Sequence, residues 1–253
     1  MKTIFQSIAV LALLLLLLPN ANAQVMPPSR PEYTAFAAWP QNTGNTSTGM
    51  DFSVSVWDGV EPRFQIDINT NTLTCTQQIA GNFLFPGQVA VDPDVVMFPG
   101  SVKFCIVYTA GGHVFAEVWQ YEDPCVLTLI DGPTMLSGGS PICTYPNVDQ
   151  LENGAAFVWE EEGTIKGRYW TTFGTLASPA MGPITDLSPC TVGSNHRPDV
   201  SVYRDGPNDQ ANIVYINTNS SGHTLMLQRY DLDDFYAGVG VSCTELSSLH
   251  RNA

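Results

Sequence analysis

The chain has 253 residues, of which 44% are hydrophobic, 10% aromatic and only 13% charged, with 21 glycines and 18 prolines. That balance excludes wholesale disorder and describes a turn-rich, foldable chain of one large domain or two small ones. Ten Lys and Arg against 24 Asp and Glu leave a formal net charge of −14, which disfavours nucleic acid and anionic membrane as partners.

The N-terminus opens with Lys2, an apolar core from Ile8 to Leu18, and Ala21-Asn22-Ala23 just before Gln24. This is the pattern of an export signal with an A-x-A cleavage site. The apolar run covers about 11 residues where roughly 20 are needed to cross a bilayer. The expectation is therefore a signal peptide over 1–23, a single domain over 24–253, no membrane insertion, and a secreted protein (extracellular, cell-surface or periplasmic). Six cysteines follow: Cys75, Cys105, Cys125, Cys143, Cys190 and Cys243. An even number suits disulfides in an oxidising compartment, although six allow about 15 pairings. None lies in a C-x-x-C arrangement or beside a histidine cluster, so zinc and redox readings are poor.

Beyond the signal, apolar residues alternate or run in short blocks between Gly, Pro, Asn and Asp, and no stretch has a sustained helical period. A Pro-[Asp/Asn]-Val triplet recurs at Pro93-Asp94-Val95, Pro146-Asn147-Val148 and Pro198-Asp199-Val200, at intervals of 53 and 52 residues. Each triplet leads to a more apolar strand that ends in an aromatic: Phe104 to Tyr108, Ala155 to Trp159, and Asn212 to Tyr215. The same element appears earlier as Phe52 to Trp57, with spacings of 51, 51 and 56 residues. Pro31-Glu32-Tyr33 stands as the triplet of that first copy. A Gly-containing turn and an alternating strand follow each aromatic: Arg63 to Ile68, Val114 to Tyr121, Ile165 to Trp170, and Thr224 to Tyr230. Fourth segments run near Leu73 to Ile79, Val126 to Ile130, Ile184 to Leu187, and Gly238 to Cys243.

Four strands per unit at a period near 50 is what a β-propeller blade requires. The predicted fold is all-β and β-propeller-like, with about four four-stranded repeats of 51–56 residues over 31–80, 93–132, 146–190 and 198–243. A β-sandwich with evenly spaced turns is the competing architecture. Four units could close into a ring, or could leave end sheets that need self-association or a partner to cover them.

The segment His196-Arg197-Pro198-Asp199-Val200-Ser201-Val202, continuing to Asn212-Ile213-Val214-Tyr215, resembles the repeats of secreted β-propeller-like proteins of Bacteroidota, in which Arg-Pro-Asp-Val opens each blade. The resemblance implies a fold and a cell-surface or extracellular location more than an activity. The chain departs from the pattern at Asn147 and lacks a recognisable C-terminal sorting domain.

No nucleophile elbow, H-E-x-x-H, phosphate-cradling loop or dinucleotide fingerprint is present. The Ser-x-Asp-x-Gly-x-x-Trp boxes of sialidase-type propellers are absent as well. The run Glu160-Glu161-Glu162 reads as a solvated hairpin tip. The triplet residues Asp94, Asn147 and Asp199, with Glu32 as a fourth, would ring one mouth of the channel if the first strand of each blade lines the axis. There they could hydrogen-bond a sugar, or Asp94 and Asp199 could hold calcium, the one candidate cofactor. The bland alternative is that each caps the turn into its strand. Trp57, Tyr108 and Trp159 read as packing between blades, whereas Trp39 and Trp170 fall outside that phase and read as exposed contacts. These features lead to the expectation of a secreted non-catalytic binding or adhesion module for carbohydrate or a surface protein. Two alternatives remain: a glycan-active hydrolase with an unrecognised carboxylate pair at the mouth, and a structural subunit of an extracellular assembly.

Overall fold

The computed structural model describes residues 90–98, 102–122, 126–139, 142–151, 154–171, 180–189, 191–205 and 208–239, and the backbone path alone of 34–39, 52–58, 63–69, 74–80 and 247–250. The signal-like segment, Glu32, Cys125, Cys190, Cys243 and the side chains of Trp39, Trp57 and Cys75 lie outside that description. All described elements belong to one compact unit, Tyr33–Ala253.

Four antiparallel meanders follow one another in chain order. The first sheet is β1 (Thr34–Trp39), β2 (Phe52–Asp58), β3 (Arg63–Asn69) and β4 (Thr74–Ala80). The second is β5 (Ala90–Met97), β6 (Lys103–Ala110), β7 (His113–Glu122) and β8 (Val126–Met135). The third is β9 (Cys143–Leu151), β10 (Gly154–Glu161), β11 (Thr164–Thr171) and β12 (Thr185–Asp186). The fourth is β13 (Ser194–Asp205), β14 (Asn208–Asn219), β15 (Gly222–Asp231) and β16 (Ser247–His250). The first strands pack in the series β1, β5, β9, β13, and the second strand of each sheet packs on the first strand of the next. This is the face-to-face succession of a β-propeller-like fold, in agreement with the repeat. Among the described residues, β13 and β1 do not pack on each other as the other neighbours do.

The cores lie between sheets. Val107, Ala116 and Val118 of the second sheet meet Ala155, Phe157 and Trp159 of the third in one cluster. Ala156, Val158 and Ile165 of the third meet Val200, Ile213 and Tyr215 of the fourth in another. β6 and β10 are enclosed on both faces, and that is why their sequences read as unbroken apolar runs instead of alternating ones.

The structure differs from the sequence expectation at three places. The triplets do not open their strands: β5, β9 and β13 begin three or four residues earlier, because a bulge lets the chain pass through each proline and stay paired. The fourth strand of the last sheet is Ser247–His250; of the expected Gly238 to Cys243, Gly238 and Val239 lie in no strand and residues 240–243 fall outside the described residues. Just before Gly238 stands a six-residue helix, α1 (Leu232–Ala237), whose N-cap Asp231 accepts the Asp233 N–H and whose chain ends at Gly238 in the left-handed conformation. Capping Asp, acidic first turn and terminal Gly are the local helix signals that its shortness hid.

Candidate functional site

Each inner strand from the second sheet onward breaks its ladder at the residue pair ending in the triplet proline. Pairing shifts between Val91 and Asp94, between Asn147 and Thr144, and between His196 and Asp199. The residues before the three prolines, Asp92, Tyr145 and Arg197, have φ of 51°, 51° and 50°. A residue preceding proline is normally extended, so three left-handed ones in register are a built-in strain that marks a repeated β-bulge. Proline suits the next position because it has no N–H to lose from the ladder. Pro93, Pro146 and Pro198 are all buried.

The bulge directs the triplet carboxylate or amide at the neighbouring sheet. Asp94 accepts the Val95 N–H at 2.9 Å with one oxygen and the Val148 N–H of the next repeat at 2.9 Å with the other. Asn147 repeats the second bond, accepting the Val200 N–H at 3.0 Å through Oδ1. Asp149 adds a parallel bond, accepting the Val202 N–H at 2.7 Å and the Gln150 N–H at 2.8 Å. In the second and third sheets the triplet thus does more than cap a turn: Asp94 and Asn147 fasten one blade to the next.

These contacts gather three acidic residues from three consecutive inner strands. Burial pushes the Asp94 carboxyl up to about 6, against the lowering effect of its two backbone donors, with Asp199 and Asp149 adding repulsion. Burial also raises Asp149, and Asp199 contributes in the same direction. Asp199 itself is exposed. The arrangement holds carboxyl groups of different environment within electrostatic reach of one another, which is what acid–base chemistry requires. Asp149 is the member missed in the sequence, since only the triplets recurred and it stands directly after one.

Beside this cluster, Arg197 lies over the Tyr145 ring at 5.4 Å, and His196 Nδ1 lies 3.0 Å from Glu160 Oε1. Glu160 also accepts the Arg197 N–H at 3.4 Å. Glu161 accepts from Trp159 Nε1 at 3.1 Å and from the Cys143 thiol at 3.7 Å. Of the acidic run, Glu162 alone sits at the hairpin turn, with φ 51°; the other two are anchors, not a solvated tip.

Several expected site residues are placed differently. Trp170 is 4% exposed and meets Phe98 edge-on at 5.7 Å. It is in phase after all, sharing with Trp119 and Tyr230 the position opposite the start of the second strand. Calcium gains no support: both oxygens of Asp94 are engaged by backbone donors, and among the described residues no group of three or more His, Cys, Asp or Glu side chains is placed to hold a metal. Cys105 and Cys143 are buried thiols, not half-cystines. The Cys105 Sγ turns to the Ile106 carbonyl at 3.9 Å and the Cys143 Sγ to Glu161, so neither reaches another sulfur. In the first sheet, register puts Ala35 opposite Val56, where the later repeats have Asp94, Asn147 and Asp199. The triplet equivalent is therefore 34–36 and not Pro31-Glu32-Tyr33, because β1 pairs with β2 without a bulge.

No protein-family model matches the chain, and no curated protein matches it. Among solved structures it is similar to a thermostable family-43 glycoside hydrolase (12% identity, TM-score 0.37, covering 85% of this chain and 73% of that one). It is also similar to the catalytic domain of a GH62 α-L-arabinofuranosidase from Coprinopsis cinerea (11% identity, TM-score 0.39, covering 83% and 67%). A third is an α-L-arabinofuranosidase from Podospora anserina in complex with cellotriose (10% identity, TM-score 0.37, covering 78% and 71%). At that level the likeness assigns no activity, substrate or residue to this chain. The expectation of a non-catalytic binding or adhesion module is corrected on the inner strands, which bring together carboxyl groups of differing environment where the sequence offered only turn caps.

Proposed function

We propose that the chain is a glycan-active hydrolase whose acid and base are drawn from Asp94, Asp149 and Asp199. The observation that supports this reading best is the convergence of three acidic residues, one from each of three consecutive inner strands, with burial raising Asp94 to about 6. Glycoside hydrolysis needs one carboxyl group protonated and another ionised across the scissile bond. In this reading Asp94 starts protonated, its hydroxyl turns away from the backbone N–H that it faces at rest, and it gives its proton to the leaving oxygen as the glycosidic C–O bond breaks. Asp199, the exposed member, takes a proton from the water whose oxygen bonds to the sugar carbon, and Asp149 keeps the charge balance of the pair. The signal-like N-terminus supports action outside the cytoplasm.

The test is product release from a panel of chromogenic glycosides and polysaccharides, arabinose-bearing ones included. Release of reducing sugar that falls about 100-fold or more in Asp94→Asn and in Asp199→Asn supports the assignment. Saturable retention on a glycan without product, or turnover unchanged in both variants, sinks it.

A further inference from the structure

The three bulges share a plan and differ at one position. In each, two residues of the inner strand stand opposite the aromatic of the second strand: Asp92 and Pro93 opposite Tyr108, Tyr145 and Pro146 opposite Trp159, Arg197 and Pro198 opposite Tyr215. The proline and the aromatic recur, whereas the left-handed residue is in turn an acid, a phenol and a guanidinium. A position whose backbone is held in one strained conformation while its chemistry changes does not owe its side chain to the scaffold.

At the joint between the third and fourth sheets this position is built up further. Glu160, whose side chain is only 14% exposed, engages consecutive residues of β13 with its two oxygens. Oε1 lies 3.0 Å from His196 Nδ1, and Oε2 accepts the Arg197 N–H at 3.4 Å. Asn147 and Asp149 already fasten these sheets through Val200 and Val202. At the preceding joint, which Asp94 fastens, Thr109 stands where Glu160 stands, and its buried hydroxyl makes no hydrogen bond. The Glu160 bracket is therefore additional to what closes a joint.

The bracket fixes two accessible groups. With Nδ1 against Glu160, the His196 ring keeps Nε2 for a ligand, and its side chain is 39% exposed. Arg197 is exposed and lies on the Tyr145 ring; among the described residues no carboxylate pairs with it, so the guanidinium is stacked but not neutralised. A stacked guanidinium presents its N–H fork edge-on and matches a carboxylate with two parallel bonds, and a neutral imidazole nitrogen beside it accepts a hydroxyl. A uronic acid sugar carries both groups. The net charge of −14 repels a polyuronate, which leaves a single acidic sugar on an otherwise neutral glycan.

We propose that Arg197 and His196 form a subsite for one uronic acid unit of the glycan, Arg197 binding its carboxylate and His196 Nε2 a neighbouring hydroxyl, with Glu160 as the positioning residue. Arg197 stands two residues before Asp199 on β13. The subsite's part in catalysis rests on the hydrolase reading; its binding of the sugar does not.

Calorimetric titration of the full chain with methyl glucuronide, methyl glucoside and methyl glucoside 6-sulfate tests it apart from turnover. The expected result is a glucuronide bound roughly tenfold or more tighter than the other two. Arg197→Asn, which tolerates the left-handed backbone, should bring the glucuronide down to the level of the glucoside. Glu160→Gln should lower the ratio of the two affinities about threefold, an effect that a merely structural role would not produce. Equal affinities, no binding of any of the three, or a preference that survives Arg197→Asn overturns the proposal. A sulfate bound as well as the carboxylate overturns its choice of acid. If the preference holds while no glycan yields product, the subsite stands and the hydrolase reading falls; if product forms and the preference is absent, the subsite alone falls.

Discussion

Asp94 and Val148 stand 54 positions apart, and the carboxylate of the first accepts the backbone N–H of the second at 2.9 Å. The bond joins two sheets through an acidic side chain that is itself buried, so the group that fastens the blades also holds its proton well above the ordinary carboxyl range. Structural and chemical demands on this residue pull in opposite directions.

Asp94→Asn separates the two. Asn147 already performs the inter-sheet bond as an amide one repeat later, so the variant keeps the acceptor. For wild type, burial raises the folded pKa from 3.8 to about 6. Its favourable contribution is therefore complete below the unfolded value and is lost as pH rises through about 6. The amide has no such loss. Urea unfolding should show the variant equal to wild type near pH 4 and more stable by on the order of 2–3 kcal/mol near pH 8. A difference that does not change with pH means that Asp94 does not titrate in this range, and would also remove its role as an acid.

Gly167 occupies the register position of Ala116 and Leu227, yet it has no room for a side chain. A Cβ there would lie 2.5 Å from Leu187 Cδ1, 2.7 Å from the Phe157 carbonyl oxygen and 2.8 Å from Phe235 Cζ. Leu187 and Phe235 are fully buried, and the carbonyl belongs to a paired strand, so none can retreat cheaply. Gly167→Ala should cost about 2–3 kcal/mol by denaturant unfolding, the range of an overpacked core. An unchanged midpoint would show that α1 lifts away from this sheet without penalty.

Cys105 and Cys143 should behave as protected thiols. Burial pushes both upward, Cys143 to about 12, and the thiolate is the reactive form. Iodoacetamide at pH 8 should leave both unmodified in the native chain. In denaturant without reductant, peptide mass analysis should find both alkylated. Labelling that needs a reductant would mean that they are bonded to other cysteines after all.

The number of sheets and the strands within them were legible because the period is carried by residue types that recur from blade to blade: a proline at the bulge of the last three, an aromatic at the end of the second strand, a glycine in the turn. What the triplet does was not legible, since its partner is a backbone N–H and leaves no signature in the neighbouring side chains. Trp170 was misread for a related reason. It follows Arg168, which stands where Glu117 and Gln228 stand and reaches across to the Leu136 and Gly182 carbonyls instead of to an aromatic. That change of partner disguised a shared position. Glu160 was read as solvent-facing because its partner, His196, lies in another repeat. The first triplet was misplaced because proline was used as the marker in the one repeat that has no bulge.

The joints between blades record themselves on one side only. An acceptor must be Asp or Asn, but any non-proline residue can supply the N–H it needs. Drift can therefore rewrite most of a repeat while each seam stays shut, and descent among such repeats would be traceable through a three-residue scar long after the rest has become unrecognisable.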